Sequence, residues 1–169
     1  MIQPDKVRSE AKKGETENFK FRTYLKNHAD EDELDKQFLR LHKESFADYD
    51  CSKCRNCCKM YQGSIPAEDI EGDAKYLEIT PEQFINEYLK KEEYDMNYQT
   101  KHMPCDFLQE DENCKLGDCK PDSCKKYPYT DQPEGLSSLL RVLDVIEICP
   151  VASEIFERLK KEYSFKARR

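Results

Sequence analysis

Four cysteines occupy eight positions in the segment CSKCRNCCK, residues 51–59. Cys51 and Cys54 have the C-x2-C spacing that brings two sulfurs to one metal ion from a tight turn. Cys57 and Cys58 are adjacent, so a disulfide between them is disfavoured because the bridge needs separated Cα atoms. Metal binding is therefore a better account of this segment than packing of free thiols.

The direction of the four side chains indicates how many sites they serve. On a continuous helix, Cys51, Cys54 and Cys58 would lie within about 60° of one another, whereas Cys57 would point elsewhere. This divergence predicts either two metal sites or one site and a sulfur with another role. Five further cysteines follow: Cys105, Cys114, Cys119, Cys124 and Cys149.

The composition favours metal over disulfides. The cysteine count is nine, an odd number that fits a disulfide framework poorly. No signal peptide or membrane-spanning segment is readable, so we expect a cytoplasmic protein whose thiols are reduced. Leu, Ile, Val and Phe supply only 33 of 169 residues. Because such a core is small, a bound metal would contribute folding free energy that the chain needs.

The net charge and the motifs argue against two classes of function. The net charge of −7 argues against a nucleic-acid surface, which needs a basic face. The sequence contains no glycine-rich phosphate loop and none of the common hydrolase motifs, so we favour a non-enzymatic role. The expected partners are a metal ion and, as an alternative, another protein.

The elements around the cysteines predict a fold that is mostly α with a small β element, organised around a cysteine-ligated metal centre. Residues 1–16 read as a mobile polar arm and residues 17–49 as an extension of two amphipathic helices, with Asp30 capping the second. Thr80, Pro81 and Gln83 form a helix start. LLRVLDVIEI is a strand or a buried helix, and Pro150 begins the last helix. Residues 50–165 are predicted as the metal-binding domain.

The combined spacing resembles the CxxCxxCC zinc- or iron-chelating family, the YkgJ-like cysteine-cluster proteins. The resemblance covers about residues 50–150 and includes Pro104-Cys105-x-Phe107-Leu108 and Cys124-x2-Tyr127-Pro128. It differs where Gly117 replaces a Tyr and where Lys120-Pro121 replaces Arg-Pro. The resemblance implies eight ligands, which are Cys51, Cys54, Cys57, Cys58, Cys105, Cys114, Cys124 and Cys149, and leaves Cys119 as an additional cysteine.

Two kinds of metal centre agree with these spacings. Eight thiolates divide into two tetrahedral zinc sites, which would be structural because no position is open for substrate. Cys51, Cys54 and Cys57 followed by a remote Cys149-Pro150 are also similar to the spacing of [4Fe–4S] ferredoxins. Flagellin lysine methylases have a similar cysteine cluster, which implies a redox or group-transfer alternative. Zinc is the first hypothesis, and iron or an iron–sulfur cluster is the second.

Overall fold

A computed structural model describes residues 1–91, 96–132 and 134–166. Its helices are α1 (Val7–Lys13), α2 (Glu15–His28), α3 (Glu31–Phe46), α4 (Cys51–Cys54), α5 (Asn56–Met60), α6 (Ile70–Tyr76), α7 (Pro81–Tyr88), α8 (Asp122–Lys125), α9 (Gly135–Ile146) and α10 (Pro150–Glu162). The strands are β1 (Ser64–Ile65), β2 (Leu89–Lys90) and β3 (Tyr98–Thr100). The predicted class, mostly α with a small β element, is confirmed. Among the described helices, none is long and apolar enough to cross a membrane.

The chain divides into two compact units. The first combines residues 1–50 with the described residues from 128 onward, and the second is Cys51–Tyr127. This division differs from the one predicted, in which 1–16, 17–49 and 50–165 were separate segments. The difference arises because α9 and α10 pack against α2 and α3, so the ends of the chain share one unit.

The first unit is a helical bundle of α1, α2, α3, α9 and α10. The predicted cap of α3 is confirmed, because the Asp30 side chain accepts a hydrogen bond from the Glu33 N–H at 3.0 Å. The aliphatic run forms α9, and α10 begins at Pro150 as predicted. The Phe21 and Phe156 rings meet edge to face at 5.2 Å in the core. Burial of these apolar faces stabilises the bundle.

The N-terminal segment differs from the predicted polar arm. Residues 7–13 form α1, in which Val7 is fully buried and Ala11 is 8 % exposed. These two side chains are four residues apart and therefore share one helix face. Two small apolar residues among charged neighbours give too weak a periodicity to reveal this contact from the sequence.

The second unit surrounds a three-stranded antiparallel sheet with the order β1-β3-β2. Ser64 pairs with Gln99, and Leu89 pairs with Thr100. The predicted start of α7 is confirmed, since Thr80 and Gln83 form a complete capping box. A core of eight buried residues holds the unit together: Ile65, Ile70, Ala74, Phe84, Tyr88, Leu89, Phe107 and Leu116. This is a small core for a unit that contains eight of the nine cysteines.

Asp73 on α6 is a buried carboxyl in this second unit. It is 3 % exposed, and its Oδ2 atom has no hydrogen-bond partner among the described residues. Burial, with nearby Asp69, raises the pKa of Asp73 to about 6, whereas Lys125 opposes the shift. At neutral pH the carboxylate is therefore charged in surroundings that disfavour its charge.

We predict that Asp73→Asn increases the free energy of unfolding at pH 7.5 by on the order of 1–3 kcal/mol. Because the pKa of Asp73 is higher in the folded state than its unfolded value, the folded wild type binds this proton more tightly. That stabilisation is complete below the unfolded pKa and is lost as pH rises through the folded pKa. Urea unfolding at several pH values tests this.

The matched control for Asp73→Asn is Glu71→Gln, a change at an exposed residue of the same helix. The control should not change the free energy of unfolding measurably at any pH. If Asp73→Asn destabilised the protein at pH 7.5, the carboxylate would have a stabilising partner and the prediction would be wrong.

Candidate metal centre

The first cysteine segment is two short helices joined by a bend. Arg55, between α4 and α5, has a left-handed backbone with φ 49°. Its N–H donates to the carbonyl of Cys51 at 3.2 Å. The assumption of one continuous helix over residues 51–58 was therefore wrong. The bend at Arg55 separates Cys51 and Cys54 from the pair Cys57 and Cys58.

Four cysteines line one small cavity in the second unit. They are Cys57, Cys58, Cys105 and Cys124, and they enclose about 30 Å³ together with Tyr61, Gly63, Lys120 and Tyr127. The Cys57 and Cys58 sulfurs are 4.0 Å apart. Cys57 therefore does not point away from Cys58, contrary to the expectation from a continuous helix.

Backbone and side-chain contacts bring these distant cysteines together. The Cys105 N–H donates to the Cys58 carbonyl at 2.8 Å. The Ser123 hydroxyl donates to the Ser64 carbonyl at 2.7 Å, which joins the α8 segment to β1. These bonds fix the backbone beside Cys105 and Cys124, so three separate segments of the chain meet at one cavity.

Gly63 lets the chain approach Cys124 closely. A Cβ atom built on buried Gly63 would lie 3.0 Å from the Cys124 sulfur, closer than ordinary contacts allow. A side chain at this position would therefore push against the sulfur. The sequence contains only five glycines. The role of Gly63 is not readable from the sequence, because the contact joins residues 61 positions apart.

The donor set fits a single metal ion. In a tetrahedral site with Zn–S bonds of 2.3 Å, two sulfurs are about 3.8 Å apart, close to the separation of Cys57 and Cys58. A cavity of about 30 Å³ has room for one small ion. Within the described residues, no three His, Cys, Asp or Glu side chains already stand in ligating geometry. Binding would therefore require rotation of the cysteine side chains about the cavity.

A comparison with protein families identifies the domain. The family model described as "CxxCxxCC: Putative zinc- or iron-chelating domain" matches residues 50–150. The chain belongs to this family. No curated protein and no solved structure was found to match the chain. The predicted family is thus confirmed, and a metal ion is supported as the cofactor of the CxxCxxCC domain.

Electrostatics differ among the thiols of the CxxCxxCC domain. A hydrogen bond with Cys57 and the charges of Lys120 and Arg55 lower the pKa of Cys58 to about 6, although burial opposes them. Burial raises the pKa of Cys105 to about 11, and it also raises the pKa of Cys124. Of these three thiols, Cys58 is therefore the one that most readily forms a thiolate, the form that binds metals.

The other predicted ligands do not line this cavity. Cys51 is exposed and Cys54 half-buried on α4. Cys114 is half-buried, packs against the core of the second unit and lies within electrostatic range of Cys105 and Cys124. Cys149 belongs to the first unit, where its sulfur accepts the Ala152 N–H at 3.5 Å as the cap of α10. The assignment of all four as ligands stays a prediction.

Cys119, the additional cysteine of the CxxCxxCC domain, lies elsewhere in the second unit. It ends the 3-10 turn Gly117–Cys119 and is half-buried against the core around Leu116. It is not among the residues that line the cavity. That Cys119 is not a ligand stays a prediction.

Proposed function

We propose that Cys57, Cys58, Cys105 and Cys124 hold one metal ion, with zinc as the first candidate, and that this ion is mainly structural. The observation that supports the proposal most strongly is the cavity of single-ion size lined by four thiol donors from three segments. A metal bound there would join α5, the segment before Phe107, and α8. It would stabilise the unit by linking parts of the chain that are distant in sequence.

The donor set favours a structural role over catalysis. Four thiolates fill a tetrahedral coordination sphere and leave no position open for a substrate or an activated water. The Tyr61 and Tyr127 rings, 5.2 Å apart, form part of the cavity wall. Because the core of the second unit is small, a bound ion would contribute stability that this core does not supply.

The size of the site bears on the choice between a single metal ion and an iron–sulfur cluster. Soft thiolate ligands select both zinc and iron, so ligand type does not separate them. A cavity with room for one small ion favours a single zinc ion, or a single iron ion, over a multi-atom cluster. The iron–sulfur protein with a redox or group-transfer role is therefore the alternative that the experiment must distinguish.

The proposed location of the protein is the cytoplasm. The odd count of nine cysteines fits reduced thiols that bind metal better than a disulfide framework. A structural metal site is also compatible with a role in which the stabilised domain binds another protein. We propose no nucleic-acid partner, because the chain has a net charge of −7.

The test is metal content and absorption of anaerobically purified protein. We expect colourless protein with one equivalent of zinc from the cavity, because four thiols line a cavity with room for one ion. A second equivalent would indicate a second metal site outside this cavity. Brown protein with acid-labile sulfide would establish the iron–sulfur alternative. A fully folded protein without metal would overturn the proposal.

A further inference from the structure

Two cations beside the four-cysteine cavity form no ion pair with a carboxylate of the described residues. Lys120 lines the cavity, and no ion pair joins its ammonium group to a described carboxylate. Arg55 lies at the bend before Cys57, and its buried Nε has no hydrogen-bond partner among the described residues. Both cations lie within electrostatic range of Cys58, and Lys120 also lies within electrostatic range of Cys124. Lys120 therefore lies beside the cavity sulfurs without an ion pair to a described carboxylate.

Neighbouring cations of the same unit are paired differently. Lys59 forms an ion pair with Glu112 at 3.0 Å, and Lys126 forms one with Asp122 at 3.0 Å. Lys115 donates to the Tyr88 hydroxyl at 2.6 Å. Asp111 is within electrostatic range of Arg55 without an ion pair of 4.0 Å or less in the described chain. Proximity to a cysteine in the sequence therefore does not by itself explain why Arg55 and Lys120 form no ion pair with a described carboxylate.

We propose that Arg55 and Lys120 are the counter-charges of the metal centre and that they match it to a divalent ion. This inference rests on the proposed four-thiolate site. Four thiolates and one divalent ion leave a net charge of −2, which two cations neutralise. With a trivalent ion the thiolates would carry a net charge of only −1, and the same cations would exceed it.

The direction in which the two cations change metal affinity follows from the net charges of the metal-free site and the loaded site. A loaded site of four thiolates and one divalent ion has a net charge of −2, whereas four neutral thiols carry no charge. The two cations therefore stabilise the loaded state relative to the metal-free state. For bound iron they favour Fe2+ over Fe3+, because the reduced site is more negative by one charge. Loss of either cation should weaken metal binding and lower the Fe3+/Fe2+ reduction potential.

The first measurement is zinc affinity by competition with a chromophoric chelator at pH 7. Lys120→Met and Arg55→Gln should each raise the zinc dissociation constant about tenfold, whereas Lys120→Arg should stay near wild type. The controls are Lys126→Met and Lys59→Met, which remove carboxylate-paired cations and should change affinity less than about twofold. If Lys120→Met bound zinc as tightly as wild type, or if the controls lost as much, the inference would be overturned.

The second measurement distinguishes an electrostatic effect of the cation on the metal site from a loss of folding in the variant. Each variant is loaded with Co2+, whose absorption reports thiolate coordination, and then with iron for voltammetry. Unchanged Co2+ bands with a lower iron potential in Lys120→Met support a counter-charge role. An unchanged potential contradicts that role, even if affinity falls. Wild-type protein that gives no Co2+–thiolate bands would instead overturn the proposed metal site itself, so the two failures are distinguishable.

Discussion

Chelation of the metal should remove the protection of the Cys51–Tyr127 unit against hydrogen exchange. Among its described residues, this unit has a hydrophobic core of eight buried side chains, and its cysteines come from segments that are distant in the sequence. A metal that binds only the folded state adds its binding free energy to folding, so small metal domains unfold when it is removed. We expect amides of α6 and α7 to exchange rapidly after treatment with a strong chelator.

Hydrogen exchange with mass spectrometry provides the measurement and its internal reference. Peptides from α3 and α10 report on the helical bundle, whose core residues include Phe38, Leu41, Ile155 and Leu159. These peptides should keep more protection than those of α6 and α7. Readdition of zinc should restore protection in the second unit. Unchanged exchange in α6 and α7 after verified metal removal would contradict a structural role for the metal.

Local signals predicted much of the secondary structure. The capping residues Asp30 and Thr80 and the prolines at the starts of α7 and α10 were identified from the sequence, because caps and fixed φ angles act within one turn. The helix α1 was missed, since its burial depends on contacts with α9 and α10. Signals that act within one helical turn can be read from the sequence, whereas contacts between distant helices cannot.

The candidate site was predicted in its residue types and only partly in its geometry. The spacing identified the cysteines, and the resemblance identified the family. The assumption of a continuous helix failed at Arg55, because a single left-handed residue redirects the chain and has no strong sequence signal in arginine. The close approach of Gly63 to Cys124 and the bond between Cys105 and Cys58 are long-range contacts. No periodicity or motif reports them.

Replacement of Cys124 should abolish metal binding at the cavity, whereas replacement of Cys119 should not. Cys124 lines the cavity, and its sulfur lies against Gly63 and near the thiols of Cys58 and Cys114. Without it, the ion loses one of four ligands, and the remaining thiolates are partly buried without full neutralisation, which is costly. Cys124→Ser and Cys124→Ala should therefore both lower metal stoichiometry and solubility.

Cys119 offers a matched control on the same short stretch of chain. Its side chain packs against the hydrophobic core of the second unit and is not part of the cavity lining. Cys119→Ser should lose only the contacts of a small apolar group, on the order of 1 kcal/mol of stability, and should retain its metal. Metal per protein is measured for all three variants beside wild type. If Cys119→Ser lost metal as fully as Cys124→Ser, Cys119 would be a ligand, and the assignment of eight ligands without it would be wrong for this chain.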